Sequence, residues 1–331
     1  MIDQSWGKRE GSNLQSLENF LKQFQDKTLL QRAEEKAQQL LADPLVRKWR
    51  AKHPEIDDGT LKVHLNRLYQ FVSEYRNCSN CPGLENCPND LAGHYTLLVT
   101  ETIHGRQHII DQKVACKKML VKQNQDLIRS RIRSYYVDER ALREGYSSDE
   151  ILTMDMARAK AVSRIMDYIL LTKENGLQTK GLYLVGKFGT GKTFLMCYML
   201  YELAKEGLTG AIVYMPDFAE ELKGMFGEPQ KLKETVDLLK ETDLLVLDDI
   251  GAENLNPWLR DHVLGTILNY RMNRKPTFFT SNYELDALQQ HFSFTNKDGE
   301  EEYKGQRIMD RIRHFVEVIV VNGSNKRGQT T

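Results

Sequence analysis

Gly186, Lys187, Phe188, Gly189, Thr190, Gly191, Lys192 and Thr193 have the spacing GxxxxGK[ST], with an apolar strand pattern before them and an amphipathic helix pattern after. Glycines at these places let backbone N–H groups fold around the β- and γ-phosphates of a nucleotide such as ATP or ADP. Lys192 supplies a mobile positive charge for those phosphates, and Thr193 a hydroxyl ligand for Mg²⁺. Farther along, the apolar run Leu244–Leu247 ends in two acids, Asp248 and Asp249. Asp248 is expected to hold Mg²⁺ through its hydration shell, and Asp249 to orient an attacking water. Aspartate is one methylene shorter than the glutamate often found at the second acid, so slow, switch-like hydrolysis is expected. Asn282 closes the run TFFTSN; if that strand lies between the other two, its amide reaches the γ-phosphate and the water. Arg307 and Arg311 are spaced i, i+4 and share one helix face. A guanidinium there can reach a neighbouring subunit's γ-phosphate, Arg311 ahead of Arg307, which requires self-association. The alternative is a surface ion pair through Asp310.

A second constellation lies upstream. Cys78, Cys81, Cys87, His94 and Cys116 concentrate thiols and an imidazole in a stretch rich in Gly, Pro and Asn. Such donors suit tetrahedral Zn²⁺, and Cys78-x-x-Cys81 has the spacing of a structural knuckle. Cys78, Cys81 and Cys116 are the firmest ligands, with Cys87 preferred to His94 for the fourth place. A redox CxxC would need a thioredoxin-like βα context, which the pattern lacks. Cys197, inside the helix after the phosphate loop, reads as core filler.

These residues need a scaffold, and the chain supplies two kinds. Residues 14 to about 76 carry apolar residues at three- and four-residue intervals, the mark of helices, broken at Asp43-Pro44 and restarting near Asp57–Thr60. Short β-like pieces follow at 95–99 and 108–110. Residues 117–136 are basic and read as a helical linker. From about 137, apolar runs at 181–186, 211–216, 243–250, 277–282 and 316–321 alternate with helical patterns such as 193–207 and 259–273. That alternation predicts an α/β domain with a parallel sheet sandwiched by helices. The expected domains are therefore 1–116, a linker 117–136, and 137–331. Few residues follow the last strand, so no helical lid is expected; Lys326 and Arg327 are the tail candidates for a second sensor.

Of the 331 residues 40% are hydrophobic and 28% charged, which excludes a disordered chain. Lys+Arg and Asp+Glu are both 46, so any contact with nucleic acid needs a local patch. No apolar run is long enough to span a membrane, and the N-terminus has no signal-like core. Cytoplasm is expected, with the cysteines as thiols or metal ligands rather than disulfides.

With these features together, the chain resembles the bacterial replicative-helicase loaders of the Bacillus type, the primosomal DnaI family of AAA+ ATPases. The runs LYLVGKFGTGKTF, LLVLDDIGAE and RIMDRIRHF carry the likeness in the ATPase half, and CSNCPGLENC in the cysteine region. The ATPase half alone also resembles the loader of enteric bacteria, the IstB-type transposition helpers and the initiator DnaA. The resemblance implies an N-terminal domain that docks on the hexameric replicative helicase. It also implies an AAA+ domain that self-associates, binds ATP and single-stranded DNA, and acts in primosome assembly with other primosomal proteins. By the same likeness the region 217–239 contacts DNA, with Lys223, Lys231 and Lys233 as candidate phosphate contacts. Two alternatives stand beside it: a transposition helper ATPase, and a zinc adaptor whose nucleotide site is structural.

Overall fold

The computed structural model describes residues 27–135, 137, 156–295 and 299–325. The chain divides into two compact units, Met1–Gln123 and Asn124–Thr331.

In the first unit the helices are α1 (Lys27–Leu41), α2 (Pro44–Lys52), α3 (Asp58–Val63) and α4 (Leu65–Ser79). The break at Asp43-Pro44 has a local cause. The Asp43 carboxylate accepts the Leu45 N–H at 2.9 Å, and Pro44 takes the first turn, where no N–H is needed. Asp57 caps α3 likewise, accepting the Thr60 N–H at 2.6 Å. An antiparallel hairpin follows, β1 (His94–Ile103) and β2 (Arg106–Ala115), turning at His104 and Gly105 with φ of 51° and 77°. Two central residues with positive φ match the twist of the flanking strands. Helices and hairpin share a core of Val46, Trp49, Ile56, Leu61, Leu68, Val72, Leu98 and Ile109, and the Trp49 indole donates to the Leu98 carbonyl at 3.1 Å. The hairpin is longer than the two short pieces expected. Buried Glu74 of α4 explains part of the extension: it accepts the Thr96 N–H at 2.6 Å and pairs with Lys113, so polar positions on both strands are held.

Next come α5 (Lys117–Ser130) and β3 (Ile132–Tyr135). The expected linker helix thus ends at Ser130. Ile132–Tyr135 instead joins the sheet of the second unit, because Ile128 and Ile132 pack on Tyr201 and Ala204, and Arg131 donates to the Ala204 carbonyl at 2.7 Å.

The second unit continues with α6 (Ala159–Asn175), β4 (Gly181–Val185), α7 (Lys192–Lys205), β5 (Gly210–Tyr214), α8 (Met215–Gly224), α9 (Pro229–Glu241) and β6 (Leu244–Asp248). A π-helical turn, Leu259–Leu264, runs into α10 (Gly265–Arg271), followed by β7 (Thr277–Ser281) and α11 (Leu285–Ser293). A short hairpin, β8 (Phe294–Thr295) and β9 (Gly299–Glu300), precedes α12 (Glu302–Arg313) and β10 (Val316–Val320).

The sheet order is β10-β4-β7-β6-β5-β3, with every pairing parallel. Alternate strand residues face opposite sides. Leu182, Leu184, Ile212, Val246 and Phe278 meet α6 and α7, while Tyr183, Val185, Val213, Leu247 and Phe279 meet α8 to α12. The expected α/β sandwich is therefore observed. Cys197 is fully buried in the α7 layer, as read from its position.

Buried Arg271 ties several elements together. Its guanidinium donates to the carbonyls of Leu239 (3.1 Å), Lys240 (3.0 Å), Thr242 (2.6 Å), Asp243 (3.0 Å) and Pro276 (2.5 Å). Leu239 and Lys240 belong to the last turn of α9, whose carbonyls have no partner within the helix. Burial pushes this guanidinium's pKa down to about 10.

Candidate functional site

The loop Gly186–Thr193 joins β4 to α7, so the N-terminal end of α7 points into the turn. Gly189 and Gly191 have φ of 73° and 90°, backbone that favours glycine. Space demands glycine as well. A Cβ on Gly186 would lie 2.3 Å from the Val321 carbonyl oxygen, and one on Gly189 1.9 Å from Asn325 Oδ1. The described tail 321–325 thus runs along the phosphate loop. Phe188 stands exposed in that loop. Lys326 and Arg327, the second-sensor candidates, lie outside the described residues.

Because β7 lies between β4 and β6, the ends of three adjacent strands converge. Lys192 Nζ donates to the carbonyls of Gly186 (2.8 Å) and Lys187 (3.0 Å) and to Asn282 Oδ1 (2.8 Å). The Asn282 amide donates in turn to Asp249 Oδ1 at 3.1 Å. Thr193 donates its hydroxyl to Asp248, 2.9 Å from Oδ1 and 3.1 Å from Oδ2. Lys192, Thr193, Asp248, Asp249 and Asn282, far apart in the chain, therefore form one network.

A residue absent from the sequence reading completes it. Thr280 donates to Asp248 Oδ1 at 2.7 Å and accepts the Asp249 N–H at 2.8 Å. Its signal was available: Thr280 stands two residues before Asn282, on the same face of a strand. Asp249 has φ of 56°, an uncommon conformation for a residue with a side chain, held by Thr280 and by Asn282. Beyond it, buried Glu253 accepts the Gly251 N–H at 2.7 Å and faces His291 Nε2 at 3.1 Å, which fixes the loop after β6.

Asp248 is 3% exposed. Burial raises its pKa, opposed by the hydrogen bonds from Thr280 and Thr193; the neighbouring Asp249 charge raises it further and Lys192 lowers it. A divalent cation between Thr193 and Asp248 would fit this donor set, which is all oxygen and partly anionic.

Arg307 and Arg311 lie one turn apart on α12 and line a cavity of about 640 Å³ with Lys240, Arg274 and Lys304. No hydrogen bond or ion pair joins them to the Lys192–Asp249 network among the described residues. Asp310, on the same helix, faces His314 at 3.4 Å, and its charge still acts on Arg311. Burial, followed by the charge of Arg307, lowers the pKa of Arg311. Of the candidate DNA contacts, Lys223 pairs with Glu220 at 2.6 Å and Lys231 faces Glu228 at 3.7 Å, which spends their charge locally.

The cysteine region differs from its expectation. Among the described residues no group of three or more His, Cys, Asp or Glu side chains is arranged to hold a metal ion. The thiols of Cys78, Cys81, Cys87 and Cys116, with His94, are not drawn into a tetrahedron. Several turn to N–H donors. Cys78 faces the Asn89 amide at 3.5 Å, Cys87 the Gly93 N–H at 3.3 Å, and Cys81 the Lys118 ammonium at 3.5 Å. The His94 ring donates from Nδ1 to the Ala92 carbonyl at 3.1 Å. A hydrogen bond from the Gly83 N–H, then Lys118, lowers the pKa of the Cys81 thiol.

Comparison with known proteins places the chain. Residues 14–105 match the model of the primosomal protein DnaI N-terminus, and residues 159–331 that of the IstB-like ATP binding protein. The replicative helicase loader DnaI of Bacillus subtilis (strain 168) is 36% identical over 299 residues, 89% of this chain and 93% of that protein. The chain belongs to the DnaI family of replicative helicase loaders. A putative ATP-binding protein of insertion sequence IS1162 from Pseudomonas fluorescens is 26% identical over 136 residues, 41% of this chain and 58% of that one. Among solved structures, DnaI matches at 36% identity and TM-score 0.49, covering 62% of this chain and all of that one. The DnaC helicase loader matches at 26% identity and TM-score 0.42, covering 51% and 92%. Membership in the DnaI family carries a helicase-loader role, and the IstB-like segment an ATP-binding domain with ATPase character. No helix among the described residues is long and apolar enough to cross a membrane.

Proposed function

We propose that this protein places the hexameric replicative DNA helicase on single-stranded DNA during primosome assembly, with Mg·ATP setting when it holds and when it releases. The observation that carries this reading is Asn282, whose side chain touches both Lys192 and Asp249 at 2.8 and 3.1 Å. One amide so placed senses the terminal phosphate and the acid that handles water together. Mg²⁺, when bound, neutralises phosphate charge; Thr193 and Asp248 hold it, and Thr280 keeps the Asp248 carboxylate in place. Asp249 orients the water, and its short reach makes turnover slow. Arg311, with Arg307, serves a neighbouring copy's site, supported by their shared basic cavity. The cytoplasm is its place of action, and other primosomal proteins are further partners.

Structural zinc in the first unit belongs to the same reading. It is supported by the donor chemistry of Cys78, Cys81, Cys87 and Cys116, with His94 as the alternative fourth ligand, and by the Gly83 N–H and Lys118 beside Cys81, which favour its thiolate.

Immobilised replicative helicase is expected to retain both the full chain and the fragment 1–123, with ATP changing the retention of the full chain alone. Retention of neither would overturn the loader reading.

A further inference from the structure

Arg158 is 5% exposed and sits in a short turn, Met156–Arg158, immediately before α6. A buried guanidinium normally carries an ion pair or a full set of hydrogen bonds, because losing hydration costs several kcal/mol. Arg158 has neither among the described residues. Its Nε has no hydrogen-bond partner, and its Nη1 makes one long contact, 3.5 Å to the Thr190 carbonyl. The guanidinium instead abuts the phosphate loop. A Cβ on Gly191 would lie 2.5 Å from Nη1, which puts the guanidinium directly against the loop at that residue.

Its side of the loop is defined by the sheet order. Lys192, Asn282, Asp248 and Asp249 mark the terminal-phosphate end, on the β7 and β6 side of β4. Arg158 begins α6, which lies by β10 on the opposite side of β4, where Arg164 donates to Glu317 through Nε at 2.7 Å. A nucleotide whose last phosphate meets Asn282 and Asp249 must run its nucleoside toward the β10 side.

We propose that Arg158 binds the nucleoside end of the nucleotide held by Gly186–Thr193, completing its hydrogen bonds on the sugar or base. A flat guanidinium with several donors suits both the edge and the face of a purine nucleoside. The inference rests on the nucleotide lying in this loop. It goes beyond the phosphate-binding motif, because it assigns recognition to a residue outside any motif. The competing role for Arg158 is a brace on the loop through Thr190.

The full-length protein distinguishes these roles. ATP and inorganic tripolyphosphate, each with Mg²⁺, are titrated into the wild type, Arg158→Lys, Arg158→Gln and Lys192→Ala, and ligand-free melting is followed in all four. The proposal expects both Arg158 variants to lose about tenfold or more in ATP affinity. Tripolyphosphate affinity should stay within about twofold, and Arg158→Lys should melt as the wild type does. A parallel fall for both ligands overturns the proposal in favour of a brace, and unchanged ATP affinity also overturns it. Wild-type protein that binds ATP no better than Lys192→Ala would instead sink the reading of the loop as the nucleotide site.

Discussion

The candidate nucleotide centre draws its side chains from distant parts of the chain and the cysteine cluster draws its own from within residues 78–116, and they are held differently. The first stands on the ends of three adjacent parallel strands, where backbone pairing fixes each position. Thr280 bridges the two acids, and Asn282 bridges lysine and acid. The second stands on the last turn of α4 and on the loops before and after the hairpin, and three of its thiols face separate N–H donors. The ends of interior strands order a site before any ligand arrives. Side chains on a helix end and loops have no such common frame, and among the described residues these do not converge on one point.

That contrast can be broken most directly at Asp249. Asp249→Asn is expected to keep ATP affinity within about threefold while lowering turnover about 100-fold, the scale of a positioned acid or base. Single-turnover kinetics with labelled ATP measure both. Full turnover would show that the preorganised network does not handle the water.

A smaller effect, confined to the other region, is expected from Cys78→Ser. Metal analysis of the purified wild type should find about one zinc per chain, and the variant should hold less than half of that. Its first unit should melt earlier, while ATP affinity stays unchanged. Equal metal content in the two proteins, or none in the wild type, would remove zinc from the reading.

The smallest effect is a pH slope at Asp248. Burial raises its pKa in the folded chain, so between the ordinary aspartate range and that raised value the folded state holds a proton that the unfolded state has released. Its contribution to stability is therefore fully present below the unfolded pKa and is lost as pH rises through the folded one. Mg²⁺ needs the carboxylate, so Mg·ATP affinity should rise over the same window. Other carboxylates, such as Glu74 and Asp243, have lowered values and slope the opposite way. The informative quantity is thus the difference in melting between wild type and Asp248→Asn across pH. A flat difference would mean that Asp248 titrates as it does in the unfolded chain.

Much of the candidate nucleotide site was legible because its chemistry is local. Gly186–Thr193 needs a turn, a helix start and two side chains within eight residues, and Asp248 and Asp249 end one apolar run. Asn282 was legible only on condition that its strand lay beside the others. Thr280 was passed over because a threonine within a β-rich run needs no special explanation. Arg158 belongs to no motif, and only its burial beside Gly191 marks it. In the first unit, spacing predicted helices, a break at Asp43-Pro44 and a restart near Asp57–Thr60. It understated the hairpin, whose pairing depends on contacts with α4 that period cannot register.

The sequence by itself determined the phosphate loop, the paired acids, the alternation of strands and helices, and the gathering of cysteines, since each is a pattern of near neighbours. Tertiary structure alone decided that β7 inserts between β4 and β6, so that Asn282 meets both Lys192 and Asp249. It also decided that Ile132–Tyr135 leaves the helix for the sheet, and that Arg158 and Asn325 close on the loop. Strand order and buried contact between remote residues follow from packing two helical layers on one twisted sheet. Patterns along the chain carry no record of which strand stands beside which.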